Sequence, residues 1–292
     1  MILNGMEAFV LRELAEDVFV ESEFEGGNCG LIRTERGALL VDTPMLPPDA
    51  RQWQLTLIQM GVSEFYGIVN TDFHPEHMLG DVFFMPTRTF GHEQAEKPIA
   101  KFRSTGLERL AEEYRDRDPV LADELAHLRV ISPEISVEDR LTLHLGDREV
   151  QVLYLKGHTP ASLGVYLPKE RILFAGDNVV NNEHPEMVDA DTLGWLRTLK
   201  QLQAMDIDVI VPGKGDLCGK EVLAPLHDYI VEMRRRVVQL FKEGSSRRET
   251  VEKIGMLDYY PVSEEELADV KLRKRHSVER VYTEVRIAIR NR

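Results

Sequence analysis

Cysteine is almost missing from this chain. Cys29 and Cys218 are the only two in 292 residues and stand far apart, which excludes a disulfide-built scaffold. Long apolar runs are missing too, and none approaches the ~20 residues that a membrane-crossing helix needs. The opening stretch, MILNGMEAFVLRELAEDVFV, lacks a basic segment followed by an apolar one, so no signal peptide is expected. Positive charge is scarce: 36 Lys and Arg against 50 Asp and Glu leave a formal charge of −14. Phosphate backbones bind positive surfaces, so a nucleic-acid partner is not expected. The expectation is a cytoplasmic protein with no membrane association. One local exception is 271–292, where eight basic residues outnumber Glu279 and Glu284. A solvated helix face or a subunit contact explains that tail, and the second leaves a homo-oligomer open.

What is present is an ordinary globular composition, 43% hydrophobic and 29% charged, in a chain long enough to bury a substantial core. The first forty residues read as β structure. Asp17–Phe24 alternates apolar and polar residues, and Cys29–Arg33 and Gly37–Val41 flank a turn. Pro48-Asp49-Ala50 opens an amphipathic helix to about Met60, and Tyr66–Asn70 is the next strand. Strand, helix, strand in that order points to a layered α/β architecture. Residues 93–135 change character: they are charged, helical in period and poor in β-branched residues, which predicts an insert of two or three short helices. Strands resume at Leu141–His144, Val150–Leu155, Leu163–Leu167 and Arg171–Phe174. A helix at Thr192–Met205 and a strand at Val209–Val211 follow, and the pattern is helical from Lys220 onward.

Chemistry concentrates where apolar strands end. Thr71–His77 (TDFHPEH) packs two histidines and two carboxylates between Asp72 and His77. Gly157–Pro160 (GHTP), Gly176–Asn178 (GDN) and Pro212–Asp216 (PGKGD) each place a polar or charged side chain after a strand. Singly these loops say little, because a lone histidine after a strand is more often a hydrogen-bonded loop residue than a ligand. In this order they resemble the metallo-β-lactamase superfamily, over roughly Val18 to Gly215, with GHTPASLGVYLPKERILFAGD as the most specific stretch.

The resemblance implies an αββα sandwich with metal at one edge, carrying here a helical insert and a helical C-terminal extension. Its expected extent is one domain over 1–292: core about 7–218, insert about 93–135, extension about 219–292. The family signature His-x-His-x-Asp-His is altered. Asp72 stands at its first His, His74 and His77 are kept, Glu76 replaces the Asp, and Lys214 replaces the last His of a Pro-Gly-His-Gly loop. By resemblance, Asp72, His74, His158 and Asp177 form one subsite. Glu76, His77 and Asp177 form the second, with Lys214 where its last ligand belongs. Two imidazoles with carboxylates suit a divalent ion and leave a position open; the carboxylates move the preference from zinc toward iron or manganese. A protonated lysine has no lone pair, so one ion per chain (Zn, Fe or Mn) is expected. Three carboxylates offset by one ammonium restore the charge of the usual set, which places Lys214 against Glu76 or Asp177.

These residues imply a metal-dependent hydrolase of a small-molecule ester, thioester, lactone or amide. Asp177 or Glu76 would orient a water and pass on its proton, and Lys214 would hold an oxyanion or a substrate carboxylate. A mononuclear iron oxygenase built on Asp72, His74 and His158, and a non-catalytic binder with Lys214 in place of metal, are the rival readings. His184 is either a pocket-lining acid or base or a surface loop residue. Cys218 reads as a small buried residue, His92 as a helix cap, and Trp53 and Trp195 as core. The insert, with Phe102, Leu107, Leu110, Tyr114 and Leu121 on its faces, is expected to cover part of the pocket.

Overall fold

The computed structural model describes residues 11–290; the expected core start near residue 7 and the end of the basic tail lie outside them. Seven strands form the first sheet in sequence order: β1 (Arg12–Ala15), β2 (Val18–Glu21), β3 (Cys29–Ile32), β4 (Ala38–Val41), β5 (Phe65–Val69), β6 (Thr89–His92) and β7 (Ile135–Val137). Pairing is antiparallel as far as β4 and parallel from β4 to β7. The second sheet holds β8 (Arg140–Leu145), β9 (Arg148–Tyr154), β10 (Leu163–Leu167), β11 (Ile172–Gly176) and β12 (Val209–Pro212), in the order β12-β11-β10-β9-β8. Only its β11–β12 pair is parallel.

Eight α-helices complete the described residues: α1 (Pro47–Gln59), α2 (Pro75–Met78), α3 (Glu96–Tyr114), α4 (Pro119–Ala126), α5 (Thr192–Ala204), α6 (Leu223–Lys242), α7 (Arg247–Lys253) and α8 (Leu267–Arg290). None is long and apolar enough to cross a membrane.

The layers follow from the two-residue period of a strand. In β4, Leu39 and Val41 point between the sheets, where they meet Val69, Val165 and Phe174. Ala38 and Leu40 point the other way, onto Trp53 and Leu57 of α1. β11 repeats the scheme on the far side. Ile172 and Phe174 enter the inter-sheet core, while Leu173 and Ala175 pack under Trp195 and Leu199 of α5 and Tyr229 and Met233 of α6. Strands covered on both faces read as unbroken apolar runs, as ALLV and ILFAG do. The result is the αββα sandwich.

Three strands escape the sequence pattern. β1 is RELA, a charged edge strand with its first two residues exposed. β6 and β7 are four and three residues long, too short to show alternation. They bracket the insert, whose first helix, α3, runs 19 residues and is not one of several short pieces. α3 and α4 bury Leu107, Leu110, Leu121 and Leu125 against Phe73, Met78 and Leu79, which follow β5. The insert therefore rests directly on the TDFHPEH loop.

Candidate metal centre

Five chain segments reach one edge of the sandwich because β4, β5, β9, β11 and β12 all end there. β5 delivers Asn70–His77, β9 delivers His158, β11 delivers Asp177 and β12 delivers Lys214. Asp42 follows β4 in a left-handed conformation, φ 60°, which aspartate adopts more readily than most side chains. Its buried carboxylate accepts from the Thr71 amide at 2.6 Å and the Thr71 hydroxyl at 2.7 Å. It also holds His77 Nδ1 at 2.9 Å. That turn is what clamps the TDFHPEH loop.

Each imidazole has one nitrogen anchored outside and the other turned inward. His77 Nε2 is buried without a hydrogen-bond partner, 3.6 Å from Asp177 Oδ1 and 3.9 Å from Asp72 Oδ1. His158 Nδ1 donates to the Glu186 carbonyl at 3.0 Å. Its Nε2 lies 3.2 Å from His74 Nδ1, 3.6 Å from Asp177 Oδ2 and 3.8 Å from Asp72 Oδ2. His74 Nε2 meets Asp189 Oδ2 at 3.3 Å, which leaves its Nδ1 for the cluster. The ligand atoms fall into two groups, Asp72/His74/His158 and Glu76/His77/Asp177, each within 4.8 Å.

Close packing depends on glycine at two places. A Cβ at Gly213 would overlap Asp177 Oδ1, and one at Gly176, φ 54°, would lie 2.6 Å from the Thr71 hydroxyl. Asn178 braces the GHTP loop, accepting from the His158 amide at 2.8 Å and donating to the Leu155 carbonyl at 2.6 Å. Asn28 ties the β2–β3 loop to the PGKG loop through the carbonyls of Pro212 and Gly215, at 2.9 and 3.0 Å.

The donor set fits a divalent ion. Burial raises the Asp72 and Asp177 carboxyls, but surrounding histidines outweigh it and hold both well below the ordinary carboxylate range; Lys214 adds to the effect at Asp177. Burial lowers His74 and His77, yet Asp72, with Asp189 at the first and Asp42 at the second, raises both well above ordinary histidine. Carboxylates that resist protons beside imidazoles that draw positive charge mark a place built for a cation. The partnerless His77 Nε2 aimed between two carboxylates is the most direct sign of it.

Lys214 Nζ sits 3.3 Å from Glu76 Oε1, with half of its side chain exposed. Burial opposes its charge, but Glu76 and Asp177 raise its pKa, so it stays an ammonium. The structure thus brings together Asp72, His74, Glu76, His77, His158, Asp177 and Lys214. It does not bring His184 to them. That ring is 4% exposed and packs edge-on against Tyr229 and Tyr260, with Nδ1 3.3 Å from the Tyr229 hydroxyl. The pocket-lining expectation for His184 gives way because the aromatic cluster of α6 and the following segment claims it. Cys218 is only partly buried, in a bridge with Ile210. Trp53 and Trp195 are core, and His92 Nδ1 caps the turn by accepting from the Gln94 amide at 3.1 Å. Sequence reasoning missed Asp189 and gave Asp42 no task; the only sign of Asp42 was its place at the end of β4.

Comparison with known proteins bears on the family and the fold. The sequence model of the "Metallo-beta-lactamase superfamily" matches residues 23–214. A linear primary-alkylsulfatase of Pseudomonas sp. (strain ATCC 19151) is 25% identical over 86% of this chain and 54% of its own. A metallo-beta-lactamase type 2 of Bacteroides fragilis is 31% identical over 39% of this chain and 45% of its own. The chain spans about half the length of these curated relatives. Among solved structures, a metallo-beta-lactamase family protein of Thermus thermophilus superposes with TM-score 0.68 at 18% identity, over 92% of this chain and 93% of that one. The match to the family over 23–214, on the αββα sandwich just described, makes the chain a member of the metallo-β-lactamase superfamily.

Proposed function

We propose that this protein is a metal-dependent hydrolase of a small-molecule ester, thioester, lactone or amide, working at a mainly mononuclear site. The observation that carries the proposal is the convergence of three imidazoles, each held from behind, on the carboxylates of Asp72 and Asp177. Asp72, His74 and His158, with Asp177 beside them, would hold the ion. A divalent ion bound there supplies a Lewis acid and an acidified water. The alkylsulfatase relative suggests that a sulfate ester also belongs among the substrates to test.

The chain's own residues account for the rest. Asp177, kept ionised by His77, His158 and Lys214, accepts a hydrogen bond from the attacking water and orients it. Glu76, also held below its usual range by Lys214 as its counter-ion, would take up the proton and release it to solvent, to which its side chain is 20% exposed. The Lys214 ammonium is fixed beside Glu76, where it meets negative charge developing on the substrate oxygen. Because it already neutralises Glu76, it also supports a single ion per chain. The insert against Phe73 narrows the approach to His74.

The test combines metal analysis of the purified protein with hydrolysis of 4-nitrophenyl acetate, butyrate and sulfate. About one equivalent of Zn, Fe or Mn and turnover abolished by chelation are expected. Absence of metal that added ions fail to restore would overturn the reading. Oxygen consumption without hydrolysis would replace it with the oxygenase.

A further inference from the structure

We propose that the groove between α3 and the TDFHPEH loop is a second binding subsite for an oxyanion, carried on an apolar arm by the molecule that reaches the metal centre. The groove is a cavity of about 410 Å³ that opens directly onto His74. Phe73 and Phe102 supply apolar walls, and Lys97, Lys101 and Arg109 supply the charge. The three cations stand four and eight residues apart on α3, so they form one stripe along the helix face that looks into the cavity.

Three observations separate this stripe from an ordinary solvated face. Among the described residues, Lys97, Lys101 and Arg109 make no ion pair. Of the other arginines of the insert, Arg115 pairs with Glu108 and Glu112, Arg117 pairs with Glu25 and Arg103 donates to Ser132, while Arg129, away from this cavity, makes no ion pair among the described residues. In a chain of net charge −14, three unpaired cations around one cavity create a local field of the opposite sign.

The second observation is Gly106. A glycine in mid-helix weakens the helix relative to alanine. Here a Cβ would overlap Cδ2 of Phe102, so the missing side chain makes room for the Phe102 ring along the helix surface. Helix stability has been given up to shape the floor of the groove. The third is the single opposing charge, Asp189. Its carboxylate faces away from the stripe, onto His74 Nε2 at 3.3 Å. The cationic stripe therefore remains available to a ligand.

A ligand that fits has an oxyanion (carboxylate or sulfate) at the Lys101–Arg109 end, an aliphatic or aromatic arm against Phe73 and Phe102, and a reactive group at His74. That the ligand is a substrate rests on the hydrolase reading; that the groove prefers an anion does not. The experiment is calorimetric titration of the metal-loaded protein, at low salt, with 4-phenylbutyrate and with the neutral 4-phenylbutanamide. The carboxylate should bind at least about ten-fold more tightly, and in Lys101→Gln/Arg109→Gln the preference should fall below about three-fold with metal content unchanged. Circular dichroism and metal content establish that the variant is folded, and Lys101→Glu should reverse the preference. Equal affinities in the unaltered protein, or no binding of either compound, overturn the subsite. So does a preference that survives in the double variant, since the anion then sits at the metal centre. A protein that shows the preference yet hydrolyses no ester, thioester, lactone or amide overturns the hydrolase reading and leaves the subsite standing.

Discussion

Asp189→Ala removes the carboxylate behind His74 and leaves every inward-facing ligand atom in place. Loss of a residue that orients a ligating histidine typically weakens metal affinity 10- to 100-fold, about 1.4 to 2.7 kcal/mol. Where this site falls in that range follows from two comparisons. Asp189 meets His74 at 3.3 Å with its side chain 49% exposed, so water can take its place as acceptor. Asp42 meets His77 at 2.9 Å with 3% exposure and also holds the Thr71 amide and hydroxyl. Asp189→Ala should therefore cost about ten-fold in zinc affinity and Asp42→Ala about a hundred-fold, with loss of stability as well in the second. Asp189→Asn keeps an acceptor oxygen without the charge and should lose only about two- to three-fold. Competition against a chromogenic chelator measures all three. An Asp189→Ala variant that binds zinc as tightly as the unaltered protein would show that packing alone orients His74. One that loses as much as Asp42→Ala would show that exposure has no bearing on the outcome.

Lys214→His restores a ligand type to the second group, Glu76/His77/Asp177, and should raise metal content from about one to about two per chain by elemental analysis. An unaltered protein already holding two fully occupied ions would refute this. Gly213→Ala drives a methyl group into Asp177 Oδ1, so metal content should fall; retention of full metal would refute the close approach. Asp81 is buried beside Thr43 and Asn70, and burial pushes its carboxyl up to about 7, against an ordinary 3.8. A raised acid binds its proton more tightly folded than unfolded, so its contribution to stability is full below about pH 4 and is lost as pH rises toward 7. The loss is on the order of 4 kcal/mol. Asp81→Asn keeps an acceptor for Thr43 and Asn70, so its stability relative to the unaltered protein should grow between pH 4 and pH 8 in urea unfolding. A constant difference would refute the assignment.

The convergence of the cluster was legible because each member follows a short apolar strand. β5 belongs to one sheet and β9 and β11 to the other, however, so it is the packing of the two sheets that brings their ends to one edge. That they form a ligand set came from the family resemblance. Asp189 offered no such signal. It lies 115 positions from His74 in a loop whose other polar residues serve unrelated ends: Asp191 caps α5 through the Gly194 amide, and Glu186 contributes a backbone carbonyl. His184 misled for the same reason in reverse. It sits in that loop, near Asp177 in sequence, yet its partner Tyr229 arrives on α6, 45 residues later. Lys97, Lys101 and Arg109 drew no notice in a segment read only as charged and helical, because charge on a helix face reads as solvated until its neighbour is known. Here the neighbour is Phe73, in a loop that the Asp42 turn clamps and the insert then covers. Local pattern thus located side chains that act at the ends of their own strands. Those that act across a gap became visible only once the chain closed that gap, and the same closure that aims His74 at the metal centre gives the cationic stripe something to face.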